Sequence, residues 1–98
     1  MYASIRRYEG LNPETIGELI KRVEGGFVPI VSAGEGFISF RLMAAGDGVI
    51  ATISVFETEV SAEESSKAAA SWVKDNMAEF DPTPPQITPG EVKISKSA

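Results

Sequence analysis

Residues 36–56 constrain the fold of this chain more than any other stretch. They comprise two β-forming runs joined by Ala45-Gly46-Asp47-Gly48, a glycine-flanked Asp of the kind that closes a tight hairpin. With Gly46-Asp47 as the two-residue loop, Ile38, Phe40 and Leu42 fall opposite Val55, Ile53 and Ala51. The other face then carries Phe37, Ser39, Arg41 and Met43 opposite Phe56, Ser54, Thr52 and Ile50. If Asp47-Gly48 forms the turn, partners shift while each residue keeps its face, because side chains alternate with period two. A half-exposed sheet alternates apolar inward and polar outward. Here one face is wholly apolar, and the mixed one holds too much Phe, Ile and Met for solvent. Such a sheet is expected to be covered by its own helices on one side and by a second subunit on the other.

The flanking segments complete the pattern. Tyr2, Ser4, Arg6 and Tyr8 alternate with Ala3, Ile5 and Arg7 in a first strand. Arg7 shares the expected helix-facing side with Ala3 and Ile5, while Tyr2, Arg6, Tyr8 and Arg41 are read as polar groups of a subunit interface. Asn12-Pro13-Glu14 is a helix start, with an Asn cap, Pro in the first turn and an acid near the positive end. Ile16, Leu19, Ile20, Val23 and Phe27 follow at helical spacing. A main helix is expected over 13–24, and Gly25-Gly26 and Pro29 then lead into a short, bent second piece. Ser61 and Glu64 form a capping box for another helix, whose inner stripe runs through Ser65, Ala69, Trp72, Val73, Asn76 or Met77, and Phe80. A Pro-rich connector over 81–90 stops that helix, and Val92-Lys93-Ile94 supplies a short last strand. The order β-α-β-β-α-β predicts an α+β, ferredoxin-like antiparallel sheet with both helices on one face, in one domain over residues 1–98.

Composition narrows the chemistry. There is no His and no Cys, which removes imidazole general-base catalysis, thiolate chemistry, disulfides and ordinary zinc sites. A net charge of −5 disfavours nonspecific nucleic-acid binding. No apolar run approaches the roughly 18–20 residues that span a bilayer, and the first residues do not form a signal peptide. A cytoplasmic protein without membrane or nucleic-acid partners is expected. Glu57, Glu59, Glu63 and Glu64 read as solvated, helix-dipole-matched side chains rather than a metal site.

Tyr2-Ala3-Ser4-Ile5-Arg6-Arg7-Tyr8, Gly26-Phe27-Val28-Pro29-Ile30, Gly36-Phe37, Gly46-Asp47-Gly48 and Ala70-Ser71-Trp72-Val73, in this order and spacing, resemble the antibiotic-biosynthesis-monooxygenase-like proteins. These belong to the dimeric α/β-barrel group of ferredoxin-like folds, and the resemblance covers nearly the whole chain. It implies a homodimer with two sheets packed face to face and a pocket between sheet and helices in each subunit. Some members oxidise aromatic quinols with molecular oxygen and no cofactor, and others degrade haem. The haem-degrading branch uses an axial His, which this chain lacks. In the quinol-oxidising branch an Asn precedes Trp by one turn. Here Ala68 stands at that place, and Asn76 follows Trp72 by one turn instead.

These implications suggest Trp72, Asn76 and Arg7 as catalytic residues and Phe27, Phe40, Ile53 and Phe80 as substrate-binding ones, with no cofactor and no metal. Each has a plainer reading beside it. Trp72 is core packing, worth about 3–5 kcal/mol against Ala, or a pocket wall that stacks on a flat ring for about 1 kcal/mol. Asn76 caps the helix or aims its amide at a ligand oxygen. Arg7 packs its stem and reaches water, or lowers a phenol's pKa at the pocket mouth. Three functions remain open: a cofactor-independent oxygenase for a small phenol or quinol, a binding protein for a hydrophobic metabolite, and a structural dimer.

Overall fold

A computed structural model describes residues 1–98. In chain order the elements are β1 (Tyr2–Tyr8), α1 (Ile16–Arg22), α2 (Val28–Ser32), β2 (Phe37–Gly46), β3 (Val49–Phe56), α3 (Glu59–Asn76) and β4 (Gln86–Glu91). The strands pair antiparallel in the order β2-β3-β1-β4. The helices lie on one face, giving the α+β ferredoxin-like arrangement that the element order predicts.

The hairpin turns at Asp47-Gly48, where both residues have positive φ, 53° and 77°. Among the hairpin turns whose twist matches that of the strands, only type I′ asks this of both central residues. Gly48 has a second reason to lack a side chain, since a Cβ there would sit 2.2 Å from the Leu11 carbonyl oxygen. Register then departs from expectation. Bulges lie between Ala44 and Gly46 and between Phe37 and Ser39. Each adds one residue to β2 without adding one to β3, so alternation is broken at both points. Between the bulges Phe40 and Leu42 pair with Ser54 and Thr52, while Arg41 and Met43 pair with Ile53 and Ala51. The expected grouping of Ile38, Phe40 and Leu42 with Val55, Ile53 and Ala51 is therefore corrected. Beyond the second bulge Phe37 returns opposite Phe56, with ring centroids 5.8 Å apart.

β1 is also turned over relative to expectation. Ser4, Arg6 and Tyr8 are buried beneath the helices, at 5%, 8% and 8% exposure, whereas Arg7 and Ile5 face outward. The helices thus cover the β1 and β3 residues of the mixed face, together with Phe40 and Leu42 of β2. Ile5, Arg41, Met43, Ile53 and Val55 occupy the other.

The first helical region is three pieces in one path. Asn12 Oδ1 accepts from the Glu14 amide at 2.9 Å, but the regular helix begins only after Thr15. A π-helical turn, Val23–Phe27, takes in Gly25-Gly26, and Pro29 sits in the first turn of α2, where a missing N–H is tolerated. Leu19, Val23, Phe27 and Val31 are all buried. A stripe spaced by four drifts about 40° per step around an α-helix of 3.6 residues per turn. The wider turn resets that drift and keeps all four side chains on the sheet.

α3 begins earlier than Ser61. Thr58 is its cap, with Oγ1 accepting from the Ser61 amide at 3.1 Å. Ala62 and Ala69 bring this helix close to the sheet. The last strand is Gln86–Glu91, not Val92-Lys93-Ile94, so the connector after the Ala78–Phe80 turn is correspondingly shorter. Pro89 is acceptable within it because β4 is an edge strand, half of whose N–H groups have no ladder partner to lose.

Candidate functional site in a cavity between sheet and helices

Between the inner face of the sheet and the helices lies a cavity of about 50 Å³. Its apolar wall is built by Phe27 from the π-turn, Phe40 and Leu42 from β2, and Trp72, Val73 and Met77 from α3. Phe27 is the hinge of an aromatic cluster. Its ring meets Phe40 edge-on at 5.7 Å and lies tilted against Trp72 at 5.6 Å, both within the range of favourable ring pairs. Gly26 makes the Trp72 contact possible: a Cβ there would lie 2.8 Å from Trp72 Cζ2. The helical path therefore approaches the indole through bare backbone.

The opposite side is polar. Ser4, Arg6 and Tyr8 from β1 and Thr52 and Ser54 from β3 point into the cavity, with Ser65 and Ser66 from α3 above them. Arg6 Nη1 donates to the Ser66 carbonyl oxygen at 3.2 Å. Its Nε and the Ser4 hydroxyl oxygen are buried without a protein partner. No carboxylate forms an ion pair with Arg6. Burial pushes the Tyr8 hydroxyl above its usual pKa, while the nearby Arg6 charge opposes the rise.

The residues expected at the site divide between the cavity and elsewhere. Trp72, Phe27 and Phe40 line it. Arg7 does not, because β1 turns it outward, where it is exposed and paired with Glu9. Asn76, at the exposed end of α3, donates Nδ2–H to the Trp72 carbonyl oxygen at 3.0 Å, so its amide serves the helix terminus. Ile53 is on the outward face, carried there by the β3 alternation that turns Thr52 and Ser54 inward. Phe80 lies beyond α3 beneath Arg22, whose guanidinium carbon is 4.8 Å from the ring centroid. That Arg also pairs with Glu79 and donates to the Asn76 carbonyl oxygen, which fixes this corner away from the cavity.

Arg6 and Ser4 are the site residues that sequence reasoning placed on the wrong face. The sequence does carry a signal for them: Arg6 alternates with Tyr2 and Tyr8, the two largest apolar surfaces of the strand. Aromatic bodies cover more core than Ala3 and Ile5, and Arg6 goes inward with them.

The chain has the fold of the antibiotic-biosynthesis-monooxygenase-like proteins. Its structure is similar to a protein of unknown function from Nitrosomonas europaea, with 21% identity over 99% of this chain and 93% of that one, and a TM-score of 0.78. It is also similar to a Streptomyces coelicolor monooxygenase, from the gene ActVA-Orf6, in complex with nanaomycin D, at 15% identity, 99% and 91% coverage and a TM-score of 0.76. A haem degrader from Mycobacterium tuberculosis with two haems bound in its active site matches at 18% identity, 99% and 100% coverage and a TM-score of 0.75. At such identities the likeness is one of fold. No protein-family profile and no curated protein sequence matches the chain. No helix is long and apolar enough to cross a membrane.

Proposed function

We propose that the protein is a cofactor-independent monooxygenase for a small aromatic phenol or quinol, bound in the cavity between sheet and helices. The observation that carries this reading is the aromatic wall of Phe27, Phe40 and Trp72 facing a polar floor across one cavity. Two proteins of the same fold hold organic ligands, nanaomycin D in one and haem in the other. In the proposed reaction the substrate's own ring carbanion reduces oxygen. One oxygen atom becomes the new ring carbonyl, and the other leaves as water with one hydrogen from that carbon and one from the phenolic hydroxyl, which becomes the second carbonyl. The protein's part is to hold the ring, exclude bulk water and stabilise negative charge as it develops.

A void of about 50 Å³ accepts only a few waters, at roughly 10–15 Å³ each, so a ring enters by displacing wall side chains. Leu42 and Val73 are only partly buried and are wall residues placed to yield. A homodimer belongs to the same reading. The outward sheet face leaves Ile5 41% and Met43 54% exposed, with no helix over them, and a second copy would cover them.

A specific observation favours a second reading, a binding protein for a hydrophobic metabolite. Neither Asn76 nor Arg7 lines the cavity, so the amide and cation expected to assist chemistry are both elsewhere. Oxygen uptake with anthrones and naphthoquinols, without flavin, haem or metal, decides between them. Turnover supports the oxygenase, and saturable binding of unchanged compound supports the binding protein. Absence of both across the panel overturns the cavity reading.

A further inference from the structure

The floor of the cavity has an unusual electrostatic composition. Arg6 is the sole charged side chain among the lining residues, and Tyr8 is the sole other titratable one. A guanidinium is a fixed cation with donors only and no acceptor. It is 8% exposed and makes one hydrogen bond, to the Ser66 carbonyl oxygen, from a group with five donors. A buried cation needs a counter-charge and filled hydrogen bonds to be stable. Neither comes from the chain: Nε has no protein acceptor, and the Ser4 hydroxyl beside it on the strand is equally free. Raised by burial, the Tyr8 pKa keeps that hydroxyl protonated as a further donor. Donors and one fixed positive charge therefore stand on one side, and the aromatic wall stands on the other.

We propose that the cavity selects an aromatic anion, with a ring-borne phenolate or carboxylate oxygen held by Arg6 Nε and the Ser4 hydroxyl and the ring set against Phe27 and Trp72. This inference rests on the reading of the cavity as an aromatic ligand site and adds the charge of the ligand. It makes Arg6, rather than Arg7, the residue that favours an ionised ligand. An opposite charge within hydrogen-bond reach lowers the pKa of a bound phenol.

The test uses three probes of similar shape: 4-nitrophenol, 4-nitrobenzoate and neutral nitrobenzene, titrated against the full chain by quenching of Trp72 fluorescence. Both anions are expected to bind about tenfold or more tightly than nitrobenzene. The pKa of bound 4-nitrophenol, read from the colour of its anion, is expected to fall by about one unit or more, the same factor of ten. Arg6→Met should abolish the preference and the shift while nitrobenzene still binds. Lys67→Met, which removes the same charge from an exposed position on α3, should change neither. If only one anion is preferred, the ligand class narrows to that oxygen chemistry. Should Arg6→Met misfold, the titration of 4-nitrophenol bound to the unaltered protein decides alone. Equal affinity for the anions and nitrobenzene, with no pKa shift, overturns the charge selection while leaving an aromatic site. Persistence of the preference in Arg6→Met also overturns it. If none of the three binds, the cavity reading falls and this inference falls with it.

Discussion

Gly25 and Gly26 are adjacent in one π-helical turn, yet replacing each by Ala should move stability in opposite directions. A Cβ at Gly25 meets nothing within 4 Å. The effect there is only the lost backbone freedom of the unfolded chain and the better helical propensity of Ala, about 0.5–1 kcal/mol of stabilisation. A Cβ at Gly26 lands 2.8 Å from Trp72 Cζ2 and 3.3 Å from Cε2 and Nε1. Carbon atoms pack at roughly 3.5–4.0 Å, so the indole or the helix must retreat by about an ångström. The indole cannot retreat freely, because Phe27 lies against it with ring centroids 5.6 Å apart. Overpacking of this kind costs about 1–3 kcal/mol. After the same propensity gain is subtracted, Gly26→Ala should be destabilised by about 0–2.5 kcal/mol and should lie about 1–3 kcal/mol below Gly25→Ala. For a chain of this size each kcal/mol moves Tm by roughly 4–8 °C. Urea and thermal unfolding, followed by Trp72 fluorescence and by circular dichroism at fixed protein concentration, measure the difference. The Gly26→Ala emission spectrum should also change in the folded state, since the indole is displaced. Equal stability of the two variants, with an unaltered Trp72 spectrum, would refute the packing argument and the placement of Trp72 against bare backbone.

The buried guanidinium carries a stability consequence of its own: Arg6→Met should raise the stability of the ligand-free protein by about 1 kcal/mol or more, and a loss in urea unfolding would contradict its lack of a counter-charge. Tyr8 has a folded-state pKa above the ordinary 10.0, so the unfolded chain loses that proton first. Stability is then full below pH 10.0 and falls as the pH rises through the folded value. Tyr8→Phe should flatten part of this alkaline loss in urea titrations on either side of that pH, and an identical loss in the variant would contradict the burial. Gly48→Ala should cost about 1–3 kcal/mol from strain at positive φ alone, and more once the Leu11 carbonyl is displaced; a neutral effect would contradict the turn assignment.

Much of the architecture is legible in the chain because its signals are local. Asp47-Gly48 closes the hairpin, the Leu19-Val23-Phe27-Val31 stripe faces the sheet, and Trp72 marks the inner side of α3. What escaped the sequence depends on contacts between elements. The bulges at Ala45 and Ile38 have no Gly or Pro at the inserted residue, and each exchanges the faces of everything beyond it. β1 carries an Arg on either face, so alternation alone does not decide which guanidinium is buried. Tyr2 and Tyr8, by virtue of their apolar area, decide for Arg6. Asn76 sits one turn from Trp72 as its spacing requires, but its side-chain amide folds back along the helix and donates to the Trp72 carbonyl oxygen four residues earlier. The i−4 carbonyl is within reach of an Asn side chain without leaving the helix, so this local bond wins over a more distant ligand. The last strand was displaced by a similar rule, since the free edge of β1 pairs with the first suitable extended segment after Pro85, whatever its propensity.

Two-dimensional NMR with added 1-naphthol reads out directly whether the space beneath α3 is where a small aromatic compound binds. Contacts between ligand protons and the Trp72 indole, the Phe27 and Phe40 rings and the Arg6 Nε–H are the expected result. Contacts confined to Ile5, Met43 and the outward face, with the Trp72 indole unmoved, would contradict it.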